Sequence, residues 1–375
     1  MVTLLSLPPE ISSIICEHVD TSLAPLCRIS HSFRDQAQRI MYRSVDLRDC
    51  SMRLVKSWCL AVARNQHLAD RIWALILQLP STLEPKEAEL LSRAFARCVN
   101  LKRLAVHHMP GSTPETNKQS WILEGPFHLE RLFNTYFSLG NGTFAFFDQQ
   151  TDIRVLSLPW AVPNTTFGDL QLPNLIALDA PLDVVCRLAE AKTGRPLERI
   201  QIHQDRLAYV LSSMSRFAST LKTFTIVREG RIIGSGTIGV VDQVLKVFPH
   251  LQHFGICEKE PQEVSLVEDS LLDRLQQFTS LITLTLHLCR WVSDFSEAMG
   301  FRSIENCTKI HELGSSILTT CATLRKATIA VKLQVAVGDE EERIACTCTK
   351  ESDGSISAIF EDELEEDSFY TTIFD

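Results

Sequence analysis

A short apolar pattern recurs along most of this chain and limits the folds that the chain can adopt. The pattern, apolar-x-x-apolar-x-apolar, is clearest at Leu101/Leu104/Val106. Further copies begin at Ile72, Ile153, Leu197, Leu221, Leu251, Leu281 and Leu324, with weaker ones at Leu129 and Leu175. Copies start about 20 to 45 residues apart, which is the range found in repeat proteins. No copy is long enough to bury its own apolar face, so the pattern predicts stacked repeats.

Each copy predicts a short β-strand that is followed by a helix. The fourth and sixth positions are apolar and point to the core, whereas the third, fifth and seventh positions point to the opposite face. Helical apolar spacing follows at 86–96, 182–191, 208–217, 238–247 and 266–276. The fold class is therefore α/β, with parallel strands and helices arranged as an irregular solenoid. A plain α/β domain whose strands share this spacing remains an alternative.

The first 43 residues have a different pattern. Leu7-Pro8-Pro9-Glu10 begins a helix with prolines where no amide donor is needed. Ile11, Ile15 and Val19 then fall four residues apart, and a second apolar series runs from Leu23 to Phe33. These are small amphipathic helices in a segment too short to bury a core of its own. The segment therefore requires a surface to pack against.

At these residues the chain resembles the F-box family, whose members open with Leu-Pro-x-Glu, an Ile/Leu helix and a second helix ending in an aromatic residue. An ordinary helical cap on the following domain is the alternative. The resemblance implies a Skp-type adaptor that joins the chain to a cullin complex. The residues that would bind this adaptor are Leu7, Pro8, Glu10, Ile11, Ile15, Leu26, Ile29 and Phe33.

The repeats resemble leucine-rich repeats, which often follow an F-box. If the repeats stack, the third, fifth and seventh positions line one extended face, including Ala105, Gln201 and Gly255. Extended faces of this kind bind proteins. The residues expected to bind a protein substrate are Arg103, His107, Arg199, His203, His253 and His287.

We expect four regions. The resemblances imply an F-box at 1–43 and a leucine-rich-repeat-like solenoid at 44–335, whereas a Glu-Ser-Asp-Gly turn and the excess of acidic residues indicate a β-hairpin cap at 336–361 and an acidic tail at 362–375. The two resemblances imply a substrate-recognition subunit of a Skp-cullin-F-box ubiquitin ligase, located in the cytoplasm, the nucleus or both. A protein-interaction scaffold without a ligase role is the alternative.

Charge is concentrated at the C-terminal end. From Asp339 onward thirteen acidic residues stand against two basic ones, a balance of −11, so the first 338 residues carry +2 of the total −9. Acidic tails are usually solvated, although Phe369, Tyr370, Ile373 and Phe374 could form a docking peptide. There is no basic patch with interleaved aromatics and no apolar run of membrane-spanning length, so neither nucleic acid nor membrane is an expected partner.

One motif indicates a nucleotide-binding or enzymatic function instead. Gly234-Ser235-Gly236-Thr237-Ile238-Gly239 resembles a phosphate-binding loop, with Glu258 at the end of the next predicted strand. Six residues separate the preceding strand from the first glycine, however, and no kinase, hydrolase or metalloprotease motif occurs elsewhere. Cys346 and Cys348 share a strand face but have no further ligands nearby in the sequence. We therefore expect a non-enzymatic protein with no cofactor and no metal.

Overall fold

The structure is a computed structural model of the 375-residue chain. It describes residues 7–19, 23–109, 125–137, 146–159, 171–191, 194–203, 211–228, 237–259, 269–292, 304–335 and 341–361. The chain divides into two compact units. The first contains residues 1–165 and 170–174, and the second contains residues 166–169 and 175–375.

The first unit opens with helices and continues with strands that alternate with helices. Its helices are α1 (Pro9–Glu17), α2 (His31–Arg43), α3 (Met52–Arg64), α4 (Gln66–Ala69) and α5 (Pro85–Phe95), with a 3-10 helix at Leu26–Arg28. Its strands are β1 (Ser44–Leu47), β2 (Ala74–Leu79), β3 (Arg103–His108), β4 (Arg131–Asn134) and β5 (Val155–Ser157). The strands pair in chain order and in parallel.

The second unit repeats this alternation. Its strands are β6 (Ala177–Pro181), β7 (Arg199–His203), β8 (Thr223–Arg228), β9 (His253–Glu258), β10 (Thr283–Val292), β11 (Lys326–Val335), β12 (Glu341–Lys350) and β13 (Ile356–Glu361). Its helices are α6 (Leu182–Glu190), a 3-10 helix at Leu211–Phe217, α7 (Thr237–Val247), α8 (Asp269–Leu275) and α9 (Ile304–Thr320). Strands β6 to β11 pair in parallel and in chain order.

The α/β class expected from the sequence is confirmed. Every repeat copy that lies in the described residues forms a strand, and the segment at 44–47 forms the first strand. The helix predicted at 208–217 is different, because the described part is a 3-10 helix over Leu211–Phe217. Three serines in that stretch compete with the backbone for hydrogen bonds and weaken an α-helix.

The last two strands run in the opposite sense to the rest of the second unit. β12 pairs antiparallel with β11, and β13 pairs antiparallel with β12. The turn between them places Gly354 at φ 84°, a conformation that glycine adopts without strain. Helix α9 packs so closely on this hairpin that a Cβ on Gly314 would lie 2.6 Å from Cys348 Sγ. The hairpin therefore seals the end of the second unit's core.

The core follows the fourth and sixth positions of the repeats. Leu104 and Val106, for example, are fully buried, as are Phe224 and Ile226. Polar turns before the strands connect successive repeats: Asn100 Nδ2 donates to the Asp70 carbonyl at 2.8 Å. Asparagine at these turns thus satisfies a backbone group of the preceding repeat.

The opposite face of the sheet is less exposed than the alternation predicts. Ala105 is fully buried, Gln201 is 5% exposed and Gly255 is buried. Neighbouring strands lie only about 4.8 Å apart, so larger side chains on both flanks cover a small one. A Cβ on Gly255 would lie 3.2 Å from the side chain of Thr225. These fifth-position residues are therefore covered by their neighbours. The side chains that remain accessible on this face stand at the third and seventh positions.

Candidate functional site

The N-terminal helices have a small core. Cys16, Phe33 and Ala37 form its buried apolar cluster, and a ring of partly buried side chains packs against them. This ring contains Leu7, Ile15, Leu23, Leu26, Cys27 and Ile40. Helix α2 joins the segment to the first repeats, because Asp35 lies 3.6 Å from Arg71 Nη2. Ser30 caps α2 by accepting a hydrogen bond from the Phe33 amide at 3.3 Å.

Three isoleucines of this segment remain at the surface. Ile11 is 42% exposed, Ile14 is 50% exposed and Ile29 is 42% exposed. Ile11 and Ile14 lie three residues apart on α1, so they share one helix face. We call Ile11, Ile14 and Ile29 the exposed isoleucines. Ile14 was not predicted, because the four-residue apolar spacing runs through Ile11, Ile15 and Val19.

The predicted adaptor-binding residues divide into two groups. Pro8, Glu10, Ile11 and Ile29 are exposed. Leu7, Ile15 and Leu26 are partly buried, because they pack against the small core. Phe33 is only 1% exposed, because its side chain packs in the core between α1 and α2.

In the first unit, Arg103 and His107 lie at opposite ends of β3. The Arg103 guanidinium stacks on Trp73, with Cζ 4.3 Å from the ring centroid. The His107 ring packs on Phe133 at a centroid distance of 4.6 Å. Burial, and then the positive charge of Arg48, lower the pKa of His107 to about 4. His107 is therefore neutral at physiological pH and offers a hydrogen bond rather than a charge.

In the second unit, the other four predicted residues fall on two register rows. Arg199, Thr223, His253 and Thr283 follow one another across β7 to β10, and His203, Val227, Cys257 and His287 form the parallel row. His253 Nδ1 lies 2.6 Å from Thr283 Oγ1. Burial, and then the charge of Arg199, lower the pKa of His253. Arg199 and His253 therefore lie on one register row of this unit, and their role in substrate binding stays a prediction.

Asp179 is a site residue that the sequence analysis missed. Its fully buried carboxylate lies 2.7 Å from His203 Nε2 and accepts a hydrogen bond from Gln201 Nε2 at 3.2 Å. The three side chains tie β6 to β7 on the sheet face. An aspartate inside an otherwise apolar strand is the signal that could have found it, since a buried carboxylate needs polar partners.

The glycine-rich motif contacts a buried ion pair through Thr237. Its first three residues, 234–236, lie outside the described residues, and Thr237 begins α7. Arg228 Nη1 lies 2.9 Å from Glu258 Oε1, which also accepts from Thr237 Oγ1 at 3.2 Å. The amide of Cys289 donates to Glu258 Oε2 at 3.2 Å. Glu258 thus holds β8, β9, β10 and α7 together, and its carboxylate is too buried to bind a ribose.

The two C-terminal cysteines share a strand face, with their Sγ atoms 3.7 Å apart. Burial raises the pKa of Cys346 to about 12, which keeps the thiol protonated. Within the described residues, no group of three or more histidine, cysteine or acidic side chains could hold a metal ion. In the same part of the chain, no helix is both long enough and apolar enough to cross a membrane. The acidic tail at 362–375 lies outside the described residues.

Comparison with known proteins identifies no family. No protein-family model matches the chain, and no curated protein matches it. Among solved structures, an internalin from Listeria monocytogenes strain 4b F2365 is similar at a TM-score of 0.36 and 13% sequence identity. The similarity covers 86% of this chain and 92% of the internalin chain. At this level the similarity carries neither a family assignment nor a function.

Proposed function

We propose that this chain is the substrate-recognition subunit of a Skp-cullin-F-box ubiquitin ligase. Its N-terminal helices would bind a Skp-type adaptor, and leucine-rich-repeat-like strands would bind the protein to be modified. The chain would supply position rather than chemistry: holding a substrate lysine near a charged ubiquitin raises its effective concentration.

The observation that carries the proposal is the surface exposure of isoleucines in a segment with a very small core. Ile11, Ile14 and Ile29 are each at least 42% exposed, whereas the buried apolar cluster in the described part of this segment consists of Cys16, Phe33 and Ala37. Covering the exposed half of one such side chain with a partner contributes about 0.7–1.5 kcal/mol. The Leu-Pro-x-Glu motif, with Pro8 and Glu10 exposed beside these isoleucines, agrees with the family resemblance.

Co-purification with a Skp-type adaptor tests the proposal. The variant Ile11→Asp/Ile29→Asp should reduce adaptor recovery at least tenfold, because two charges would replace apolar contacts that together contribute about 1.4 kcal/mol or more. Leu54→Asp/Leu60→Asp is the matched control, since both leucines are exposed on α3, outside the N-terminal helices. Ile15 is unsuitable as a test position, because it packs against the small core.

Equal adaptor recovery from the isoleucine variant and the wild type would overturn the adaptor assignment. The composition of the recovered complex separates the two roles. A complex that contains both adaptor and cullin supports the ligase, whereas adaptor without cullin supports an interaction scaffold.

A further inference from the structure

The last strand of the second unit has an outer edge that no described strand uses. β13 pairs with β12 on its inner side, from Ile356 to Glu361. In the part of the chain that the structure describes, β13 ends the order of paired strands. The outward N–H and C=O groups of such an edge can form hydrogen bonds with a further strand. We call this outer side of the strand the β13 edge.

The sequence of β13 contains none of the features that usually block an edge strand. It reads Ile-Ser-Ala-Ile-Phe-Glu, without proline or lysine, and its register with β12 contains no bulge. Ile359 is 62% exposed and Phe360 is 48% exposed. Adjacent residues of a strand point to opposite faces, so both faces of the β13 edge present an exposed apolar side chain. A bound strand would cover part of each.

The face that carries Ile359 is otherwise rich in hydroxyl groups. The row of Ile359 continues inward through Thr347 and Thr328, whose hydroxyl oxygens lie 3.1 Å apart. The next row pairs Ser357 with Thr349. A partner strand would thus meet one apolar side chain beside hydroxyl groups, which favours valine, isoleucine and threonine at the facing positions.

Carboxylates stand at both ends of the β13 edge. Glu361 is the last residue of the strand and is exposed. At the other end, Ser357 Oγ donates to Glu351 Oε1 at 2.6 Å, and Ser355 Oγ donates to Asp353 Oδ1 at 2.6 Å. These hydrogen bonds hold two carboxylates beside the start of the strand. A bound segment would therefore have an acidic group of this chain near each of its ends.

The nearby cations do not lie where they would neutralise these ends. Lys350 is the register partner of Ile356, so alternation places it on the face opposite to Glu361. Lys326 and Lys332 share the face of Glu361 but belong to β11, whose backbone is about 9.6 Å from that of β13. This distance exceeds the Debye length of about 8 Å at physiological ionic strength. The surroundings of the β13 edge are acidic, in a part of the sequence with thirteen acidic and two basic residues from 339 onward.

A second copy of the chain fits the β13 edge poorly. In an antiparallel pair centred on two β13 strands, Glu361 of each copy would face Ser355 or Ser357 of the other. The hydroxyls of both serines already bind carboxylates, so like charges would meet at both ends of the pair. Cations at the ends of the added strand would instead form charge-assisted contacts.

We propose that the β13 edge binds an extended segment of a partner protein that has basic residues at both ends and β-branched residues between them. The segment would add to the sheet as a further strand. Its main-chain hydrogen bonds would provide affinity, and its lysine or arginine side chains would select the partner. The proposal does not rest on a ligase role, because the purified chain should bind such a segment without adaptor or cullin.

Fluorescence anisotropy of the purified full-length chain tests the proposal. The probes are a short labelled peptide of alternating valine and threonine with lysines at both ends, the same peptide with glutamates at its ends, and the lysine peptide with methylated central backbone amides. We expect the lysine peptide to bind about tenfold more tightly than either of the others. Its affinity should fall as salt rises, and in hydrogen exchange it should slow the amides of β13 but not those of β7.

Charge reversal tests the acidic ends. Glu351→Lys/Glu361→Lys should reverse the preference, so that the glutamate peptide binds more tightly than the lysine peptide. Glu190→Lys/Asp273→Lys is the control, since it makes the same charge change at exposed positions of α6 and α8 in the same unit. The control variant should keep the preference of the wild type.

A lysine on the strand tests the edge itself. Ile359→Lys should weaken the lysine peptide about tenfold or more, because a lysine on an edge strand opposes the addition of another strand. The side chain is mostly exposed, so the fold should be intact. Ile282→Lys is the matched control: Ile282 is 38% exposed, precedes β10 and lies away from the β13 edge.

Equal affinity for the lysine peptide and its methylated form would overturn the inference, as would equal losses from Ile359→Lys and Ile282→Lys. Two other occupants would also overturn it, each with its own result. A wild-type dimer that Ile359→Lys converts to a monomer in sedimentation assigns the edge to a second copy. Slow exchange of the β13 amides in the free chain that becomes fast in Phe369→Ser/Ile373→Ser assigns it to the chain's own C-terminal residues.

Discussion

The N-terminal helices and the repeats of the first unit use their apolar residues differently. In the repeats, Leu75, Leu77 and Leu104 are fully buried. In the helices, most apolar side chains are partly buried around a core of three residues, and three isoleucines are exposed. A segment of this size cannot bury enough apolar surface to be stable alone, so it depends on the surfaces on its two sides. On one side this segment contacts the first repeats through α2, where Asp35 lies 3.6 Å from Arg71 Nη2, and elsewhere Ile11, Ile14 and Ile29 remain exposed.

The largest effect should come from replacing a buried phenylalanine by alanine, for which the repeats of the second unit offer Phe224 and the N-terminal helices offer Phe33. Phe224→Ala removes a fully buried ring of the second unit, which packs on Phe248 at 5.4 Å, and should cost about 3–5 kcal/mol of unfolding free energy. Urea unfolding measures this loss. Phe360→Ala is the control, because that ring is 48% exposed and its removal should change stability by less than about 0.5 kcal/mol.

The matching change in the helices is Phe33→Ala. Its cost should appear as local unfolding, because the ring is the centre of the small core only. Hydrogen exchange should show faster exchange of amides in α1 and α2, with β2 and β3 unchanged. If the β2 and β3 amides lose protection equally, the helices and the repeats form one cooperative core, and the helices do not have a separate small core.

A smaller effect on the free energy of unfolding should come from His107, which lies on the sheet face of the first unit. The pKa of His107 is lowered from 6.5 to about 4 in the folded chain, so the folded state favours the neutral ring. The resulting stability is present above the unfolded pKa of 6.5 and is lost as pH falls toward 4. Between about pH 7 and pH 5 we expect a loss of about 1–2 kcal/mol.

Urea unfolding of the His107→Gln variant at a series of pH values checks this expected loss of stability. The variant should show a smaller slope, with a residual slope from His108, whose pKa burial also lowers. A His107→Gln slope identical to that of the wild type would contradict the assignment.

The smallest expected effect concerns helix caps in the two regions. Ser30→Ala removes the hydroxyl that accepts from the Phe33 amide, and should destabilise α2 by about 1 kcal/mol. Ser51 precedes α3 but its side chain makes no cap hydrogen bond, so Ser51→Ala should change stability by less than about 0.5 kcal/mol. Hydrogen exchange of the first-turn amides of α2 and α3 measures both. Equal effects would show that the Ser30 bond does not stabilise α2.

Much of the fold could be predicted because the repeats combine two strong signals. Alternating burial at the fourth and sixth positions identifies a strand such as β8, and the spacing of copies orders neighbouring strands. The hairpin was also predictable, because the Glu-Ser-Asp-Gly turn supplies Gly354 at its positive φ. The 3-10 helix at Leu211–Phe217 was not predictable, since its serines and apolar residues also fit an α-helix.

The candidate sites were less predictable than the fold. Sequence patterns located Ile11, Ile29 and Arg103, but they missed Ile14, Trp73 and Asp179. Exposure on a helix face depends on what packs against it, and the stacking of Arg103 on Trp73 joins residues that are 30 positions apart in the chain. Neither property follows from a local pattern.

The sequence alone determined the elements of this protein, because strand alternation, helical spacing and turn residues are local and act within a few positions. It also determined that the first residues need a surface to pack against. Only the tertiary structure decided which side chains remain exposed: it placed Phe33 in the small core and the isoleucines at the surface. It likewise set Arg103 beside Arg131, since register across parallel strands joins residues that are distant in sequence.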